Sequence, residues 1–210
     1  EIPVHAQDFC FYDRYSISLM QLGNNTDIKD LASKFFNDTL IMDQNACSSP
    51  HLVIWVNSNI NKINKFWIEF GKIIKKKYLI DVGNKYLKYS NVILSLNKVK
   101  FFKKLINHDD LFSRIQVKNV QSNISDIRGK FGMFIEYETN NLNILKKIVQ
   151  RKYQTFTYYG VEKKIIKEFV LNNNLNGIDR IVKVGNALNI SLIWDGYDIT
   201  RSLSRIIDYD

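Results

Sequence analysis

Strand-like and helix-like stretches alternate along this chain, and that alternation limits its possible folds more than any other feature. Residues 51–56, HLVIWV, are apolar at successive positions, which is typical of a strand buried on both faces of a parallel sheet. Residues 58–79 instead carry apolar side chains at helical spacing, with lysines between them. Repetition of this alternation along the chain predicts an α/β fold with a mostly parallel sheet.

The predicted elements can be placed from periodicity and capping signals. Strands are predicted at 15–22, 51–56, 131–138, 154–159 and 180–184. Helices are predicted at 27–41, 58–79, 83–106, 141–151 and 161–171, with Thr26 as the N-cap of the first. Residues 108–130 are polar and weakly patterned, and they indicate no element.

Positive charge is concentrated in one part of the chain. Residues 58–107 contain twelve lysines against Glu69 and Asp81, a net charge of +10, whereas the whole chain carries +9. A basic surface attracts nucleic acid, anionic lipid or phosphorylated ligands. A solvated helix face explains the same pattern without any ligand, so charge alone assigns no function.

Cysteine, histidine and hydropathy patterns exclude several classes of protein. Two cysteines, Cys10 and Cys47, are too few for a disulfide framework, so we expect them to be reduced in a cytoplasmic protein. His5, His51 and His108 lack zinc-ligand spacing, so no metal site is predicted. No membrane span or signal peptide is predicted, and the initial glutamate indicates a processed chain or part of a longer one.

Cys47 is the main candidate for chemistry, because it stands in the small polar turn QNACSSP directly before the buried strand. A thiolate is a strong nucleophile that forms thioesters readily. Small side chains at Ser48 and Ser49 let a substrate carbonyl approach. Main-chain N–H groups, the serine hydroxyls and the amides of Gln44 and Asn45 are candidate donors to an oxyanion.

His51 follows closely and has two interpretations. It could be the base or the orienting group of a Cys/His pair, or it could be an inert buried histidine at the start of a strand. Proximity in sequence does not establish pairing, and a lone cysteine is more often inert than catalytic. Residue type and placement therefore leave the role of Cys47 open.

Three patches, in order, carry a resemblance to a known family: DQNACSSPH at 43–51, QTFTYYG at 154–160, and GIDRIVKVGNALNISLIWDGYDITRSLSRI at 177–206. They resemble the LuxC-type acyl-CoA reductases of the aldehyde dehydrogenase superfamily. The resemblance implies an aldehyde-dehydrogenase-like three-layer α/β fold, of which this chain is the C-terminal half. The resemblance divides the chain into the end of a cofactor-binding domain at 1–22, a catalytic domain at 23–175 and a C-terminal return segment at 176–210.

The same resemblance implies an activity, a cofactor and partners. The activity is reduction of a fatty acyl-CoA to a fatty aldehyde with NADPH, through an acyl-cysteine on Cys47. The implied partners are a fatty acyl-CoA or acyl-protein donor, an acyl-protein synthetase in a fatty acid reductase complex, and further copies of the chain in a homo-oligomer. Luminescence and other lipid pathways are not distinguished.

Departures from the family pattern refine this expectation. Cys10 falls near the position of the glutamate that activates water in aldehyde-oxidising relatives, and its replacement suits a reductase. Arg128 and Lys130, in IRGKFGMF, stand near the motif whose glutamate holds the cofactor ribose, which favours a 2′-phosphate and hence NADPH. In WDGY at 194–197, Asp-Gly indicates a turn with the tryptophan packed beneath it.

Two alternatives to an active reductase remain. The sequence contains no glycine-rich phosphate loop after a strand, so the chain could be a catalytically inactive fragment or remnant of such an enzyme. A basic nucleic-acid-binding protein is the second alternative, although no recognition-helix or RNA-binding aromatic motif is found.

Overall fold

Seven strands join in one sheet at the centre of the structure, a computed structural model that describes Pro3, Ala6, Asp8, Phe9, Phe11 and residues 13–207. The strands are β1 (Tyr15–Met20), β2 (Pro50–Val56), β3 (Phe102–His108), β4 (Phe112–Val117), β5 (Met133–Thr139), β6 (Tyr153–Tyr159) and β7 (Arg180–Lys183). Their spatial order is β3-β4-β5-β2-β1-β6-β7. All neighbours are parallel except β3 and β4, so the predicted mostly parallel sheet is confirmed.

Helices cover both faces of this sheet and complete three layers. They are α1 (Ile28–Thr39), α2 (Ile60–Lys77), α3 (Val82–Lys98), α4 (Ile144–Ile148), α5 (Lys163–Asn172) and α6 (Ile199–Ser202), with 3-10 turns at Leu40–Met42 and Ser122–Asp126. Phe35 of α1 and Phe66 of α2 pack against one face, in one core with Trp55. Leu145 of α4 and Ile166 of α5 belong to the core on the other face. The predicted three-layer architecture is confirmed.

The predicted helix at 83–106 is wrong in its second half. Helix α3 ends at Lys98, and the chain returns as the antiparallel edge strand β3. Strand β4 then lies inside 108–130, where the sequence indicated no element. The first helix also begins differently, because the carboxylate of Asp27, and not Thr26, accepts from the N–H of Asp30 at the N-cap.

Buried polar groups explain why β4 escaped detection. Its residues Arg114 and Gln116 are polar yet buried, and both donate to the carboxylate of Glu136 on β5. The indole N–H groups of Trp55 and Trp67 donate to the same carboxylate. A buried carboxylate is stable when paired and hydrogen-bonded in this way, so hydropathy is a poor guide to this strand.

The C-terminal part of the chain forms a small hairpin, β8 (Ile193–Trp194) and β9 (Tyr197–Asp198). Asp195 and Gly196 connect the two strands with φ values of 49° and 80°, as two-residue hairpin turns require, so the predicted Asp-Gly turn is confirmed. The guanidinium of Arg180 lies 4.5 Å from the centre of the Trp194 ring. Within residues 13–207 and the five described positions before them, no helix is long and apolar enough to cross a membrane.

Candidate active site

Cys47 lies in a short connection between the 3-10 turn Leu40–Met42 and strand β2, and its side chain is exposed. Asp43 and Gln44 have positive φ values of 51° and 59°, which reverse the chain immediately before the cysteine. The Gln44 N–H donates to the Thr39 carbonyl at 2.7 Å, and the Ser49 N–H donates to the Ala46 carbonyl at 2.9 Å. The turn is therefore ordered by its own backbone.

The buried side chain of Gln44 fastens the turn to the starts of β2 and β5. Its side chain is fully buried, and its amide donates to the carbonyls of Pro50 and Met133, both at 3.0 Å. Its amide oxygen accepts from the Gly132 N–H at 3.2 Å. Both amide hydrogens are thus already used, so Gln44 has no donor left for a substrate oxyanion, contrary to the role expected from the sequence.

A second attachment comes from β1. The hydroxyl of Ser16 donates to the carbonyl of Cys47 at 2.7 Å, and Ser16 is fully buried. Ser16 is not among the site residues predicted from the sequence. Serines at alternate positions of an otherwise apolar strand, Ser16 and Ser18, are the signal that could have found it.

The other predicted turn residues divide into exposed and buried groups. Asn45 is exposed beside Cys47, so its amide is accessible to a substrate. Ser48 and Ser49 are buried, and the Ser49 hydroxyl has no hydrogen-bond partner among the described residues. The N–H groups of Gln44, Asn45 and Ser49 donate to carbonyls, so of the predicted oxyanion donors the Asn45 side-chain amide and the N–H groups of Cys47 and Ser48 remain available.

His51 is not positioned as a base for Cys47. Its side chain is buried, and its ring centre lies 5.1 Å from that of Tyr15, within the core. Neither ring nitrogen makes a hydrogen bond of normal geometry with a described residue. Burial, aided by the charges of Arg128 and Lys130, lowers the pKa of His51 to about 3, so the imidazole is neutral. The inert interpretation fits this geometry.

The structure gives Arg128 and Lys130, the residues expected to hold a cofactor phosphate, different surroundings. The Arg128 guanidinium pairs with Asp13 at 2.9 Å and donates to the carbonyl of Arg14. Lys130 is exposed and makes no ion pair within the described part of the chain. Lys130 is therefore accessible to a phosphate, whereas Arg128 would have to exchange its bond to Asp13 for one; their cofactor role stays a prediction.

A polar cleft of about 440 Å³ opens at the starts of β1, β6 and β7. It is lined by Arg14, Arg151, Asn176, Gly177, Asp179, Asp195, Gly196 and Tyr197. Arg14 is paired with Asp179 and lies 3.7 Å from Asp195, so two carboxylates offset the positive charge of the cleft. Among the described residues no group of three or more potential metal ligands occurs.

Asp38 is a buried carboxyl that the sequence did not reveal. It lies on α1 and accepts from the N–H groups of Gly185 and Ala187 at 2.7 and 2.8 Å, which fastens the loop after β7 to α1. Burial raises the pKa of Asp38 to about 7, although these two bonds and Arg180 favour the ionised form. The group therefore titrates near neutral pH.

Comparison with known proteins identifies the architecture. No protein-family model and no curated protein matches the sequence. Similar solved structures include an NAD-dependent aldehyde dehydrogenase from Sinorhizobium meliloti (TM-score 0.51, 10% identity, covering 81% of this chain and 36% of that chain). The 1-pyrroline-5-carboxylate dehydrogenase from Thermus with bound NAD is also similar, with a TM-score of 0.54 and 9% identity over 80% of this chain and 35% of that chain. An E. coli NADP dependent enzyme has a TM-score of 0.52 and 9% identity over 82% of this chain and 38% of that chain.

The chain has an aldehyde dehydrogenase-like fold. It spans 35–38% of the length of those three solved chains. In this aldehyde dehydrogenase-like sheet, Cys47 lies at the amino ends of β1 and β2, because it precedes β2 directly and is bonded to Ser16 near the start of β1. Open α/β sheets usually bind ligands at the carboxyl ends of their strands, so the candidate nucleophile is at the opposite edge.

Proposed function

We propose that this chain carries the acyl-accepting cysteine of a LuxC-type fatty acyl-CoA reductase. The observation that supports the proposal most directly is the exposed Cys47 in a turn held by buried hydrogen bonds, within an aldehyde dehydrogenase-like fold. Exposure is needed for a thiol to meet a thioester, and a rigid turn keeps the nucleophile and the oxyanion donors in one geometry.

In the first step, the Cys47 thiolate attacks the carbonyl carbon of an acyl thioester. The tetrahedral oxyanion collapses, the bond to the leaving sulfur breaks, and the acyl group remains as a thioester on Cys47 while the CoA or carrier thiolate departs. Main-chain N–H groups of the turn and the exposed Asn45 amide are the groups of this chain that can stabilise the oxyanion.

In the second step, a hydride and a proton convert the acyl-cysteine to the aldehyde and regenerate the Cys47 thiol. NADPH would supply the hydride. Of the two residues expected to hold its 2′-phosphate, Lys130 is free and Arg128 is paired with Asp13, so binding needs further groups besides Lys130. An acyl-CoA or acyl-protein donor, an acyl-protein synthetase as partner in a fatty acid reductase complex, and a homo-oligomeric state belong to the same proposal.

Reduction is favoured over aldehyde oxidation because the glutamate that activates water in aldehyde-oxidising relatives has no counterpart near its expected position. No glutamate occurs from residue 2 to residue 68, and Cys10, the residue nearest the expected position of that acid, lies outside the described residues. That glutamate would take a proton from water, and the water would then hydrolyse the acyl-cysteine to the acid and free the Cys47 thiol. Without it, we expect hydrolysis to be slow enough for reduction to compete.

Mass spectrometry after incubation with a long-chain acyl-CoA tests the proposal. We expect one added acyl mass on the Cys47 peptide of the wild-type chain and none on the same peptide of Cys47→Ser. Addition of NADPH to the acylated chain together with the remaining parts of the enzyme should release free aldehyde. A folded wild-type chain that takes no acyl group would favour the inactive-remnant alternative.

A further inference from the structure

We propose that Ser16 is a positioning residue: it fixes the peptide group between Cys47 and Ser48 so that the Ser48 N–H can donate to an oxyanion beside the Cys47 thiol. This inference deepens the proposed function, because it concerns the same acyl-accepting cysteine. It depends on three features of the structure: the irregular sheet around Ser16, the hydrogen bonds of its hydroxyl, and the direction of the peptide group between Cys47 and Ser48.

The sheet is irregular on both sides of Ser16. In the ladder with β2, Ser16 pairs with Pro50 and Ile17 pairs with Leu52, so His51 is passed over. In the ladder with β6, Tyr15 pairs with Tyr153 and Ile17 pairs with Phe156, so the single residue Ser16 faces two residues of β6 and one of them is extra. Bulges re-aim side chains and are found beside active sites, and here two of them coincide at one serine.

The Ser16 hydroxyl fills the gap that these bulges leave. It accepts from the Thr155 N–H at 3.1 Å, a backbone group on β6 that would otherwise be buried without a partner. It donates its own hydrogen to the Cys47 carbonyl at 2.7 Å. The hydroxyl is therefore oriented by Thr155, and its hydrogen is directed at a single backbone atom of the cysteine turn.

This bond sets the orientation of the peptide group between Cys47 and Ser48. No peptide bond among the described residues is cis, so the carbonyl of Cys47 and the N–H of Ser48 point in opposite directions. The carbonyl is held toward the sheet by Ser16, and the Ser48 N–H consequently points away from it.

The Ser48 N–H, like that of Cys47, makes no hydrogen bond with any described residue. Ser48 is nevertheless buried, at 2% exposure, and buried N–H groups without a partner are rare in native proteins. Adjacent free N–H groups next to an exposed nucleophile form the geometry that binds an oxyanion. The tetrahedral intermediate on Cys47 would provide the missing acceptor.

The test compares two reactions of the same thiol in wild-type, Ser16→Ala and Ser18→Ala chains. Acylation by p-nitrophenyl acetate forms an oxyanion, whereas alkylation by iodoacetamide does not, and both are measured on the Cys47 peptide by mass spectrometry. Ser18 is the matched control, because it lies two residues along the same strand, is fully buried, and its hydroxyl has no partner among the described residues.

We expect Ser16→Ala to lower the ratio of acylation rate to alkylation rate by about 10²-fold, the effect typical of losing one oxyanion donor. Ser18→Ala should leave the ratio unchanged. An unchanged ratio in Ser16→Ala, or an equal fall in Ser18→Ala, overturns the inference. If Ser16→Ala does not fold, replacement of Ser48 by its α-hydroxy acid analogue removes the N–H directly, and an unchanged ratio there overturns it equally.

The probe keeps this inference separate from the proposed function. A chain that long-chain acyl-CoA does not acylate, but whose reaction with p-nitrophenyl acetate depends on Ser16, would refute the proposed substrate and support the positioning role. A chain that acyl-CoA acylates equally well with and without the Ser16 hydroxyl would support the proposed function and refute the positioning role.

Discussion

Replacement of Gln44 by methionine should destabilise the chain by about 3 kcal/mol. Methionine has a similar length and shape, and it keeps the positive φ of 59° at this position, so the substitution chiefly removes three buried hydrogen bonds. A typical buried hydrogen bond contributes about 1 kcal/mol net. The loss falls on the backbone of β2 and β5, because the lost partners are Pro50, Met133 and Gly132.

Urea denaturation followed by circular dichroism measures this loss as a lower midpoint with an unchanged slope. Asn45→Ala is the control, because Asn45 is the next residue, is exposed, and should change the free energy of unfolding by less than about 0.5 kcal/mol. If Gln44→Met is as stable as this control but loses Cys47 acylation, Gln44 acts on the substrate and our assignment of it as a structural clamp is wrong.

Three further predictions concern buried groups and close contacts. Burial raises the pKa of Asp38 to about 7 in the folded chain, whereas an unfolded aspartate ionises near pH 4. The wild type should therefore lose stability relative to Asp38→Asn as pH rises from about 4 to 7. Urea midpoints of the two chains measured across this range test the prediction, and a constant difference between them would contradict it. Glu136→Ala leaves Arg114 buried without its partner and should cost about 3–5 kcal/mol in urea unfolding. The double variant Glu136→Leu/Arg114→Met should recover only the part due to the unpaired guanidinium, because the indole N–H groups of Trp55 and Trp67 still lack their acceptor; full recovery would contradict this. Gly129→Ala should unfold the chain or lower its melting temperature sharply, because a Cβ there would lie 1.9 Å from the Met133 carbonyl oxygen. Gly23→Ala is the control and should be neutral, because a Cβ at Gly23 meets nothing within 4 Å. Equal melting temperatures of the two variants would refute this prediction.

The layers of the fold could be predicted from the sequence where hydrophobic periodicity was strong. The strand predicted at 51–56 is β2, Pro50–Val56, and the helix predicted at 58–79 is α2, Ile60–Lys77. Apart from His51 at the start of β2, the buried side chains of these two segments are apolar, so pattern and structure agree.

The failures have identifiable physical causes. Strand β4 carries Arg114 and Gln116 into the core, and only the position of Glu136 on a neighbouring strand makes that burial favourable. Edge strand β3 is largely exposed, so it has no clear alternation and its apolar residues extended the predicted helix. Long-range partners decided both cases, and local patterns contain no information about such partners.

The position of the candidate nucleophile could be predicted from the sequence, but the buried hydrogen bonds that hold its turn could not. Cys47 stood out because a small polar turn precedes a buried strand. The roles of Gln44 and Ser16 depend on bonds to residues that are distant in sequence, 89 positions away for the Gln44–Met133 bond. Similarly, Asp38 reaches the loop after β7 across 147 positions to Gly185.

The attachment of the cysteine turn to the sheet has a consequence for the evolution of this sequence. Hydrogen bonds of Gln44 and Ser16 hold the cysteine turn to β1, β2 and β5. Among the described residues of the lysine-rich helices, only Tyr78, at the end of α2, makes a hydrogen bond to the turn, through the carboxylate of Asp43. Surface residues of α2 and α3 can therefore be exchanged over many generations while the thiol keeps its place. Related chains should diverge fastest at the exposed positions of 58–107 and slowest at a few interior polar positions to which hydropathy gives no special weight.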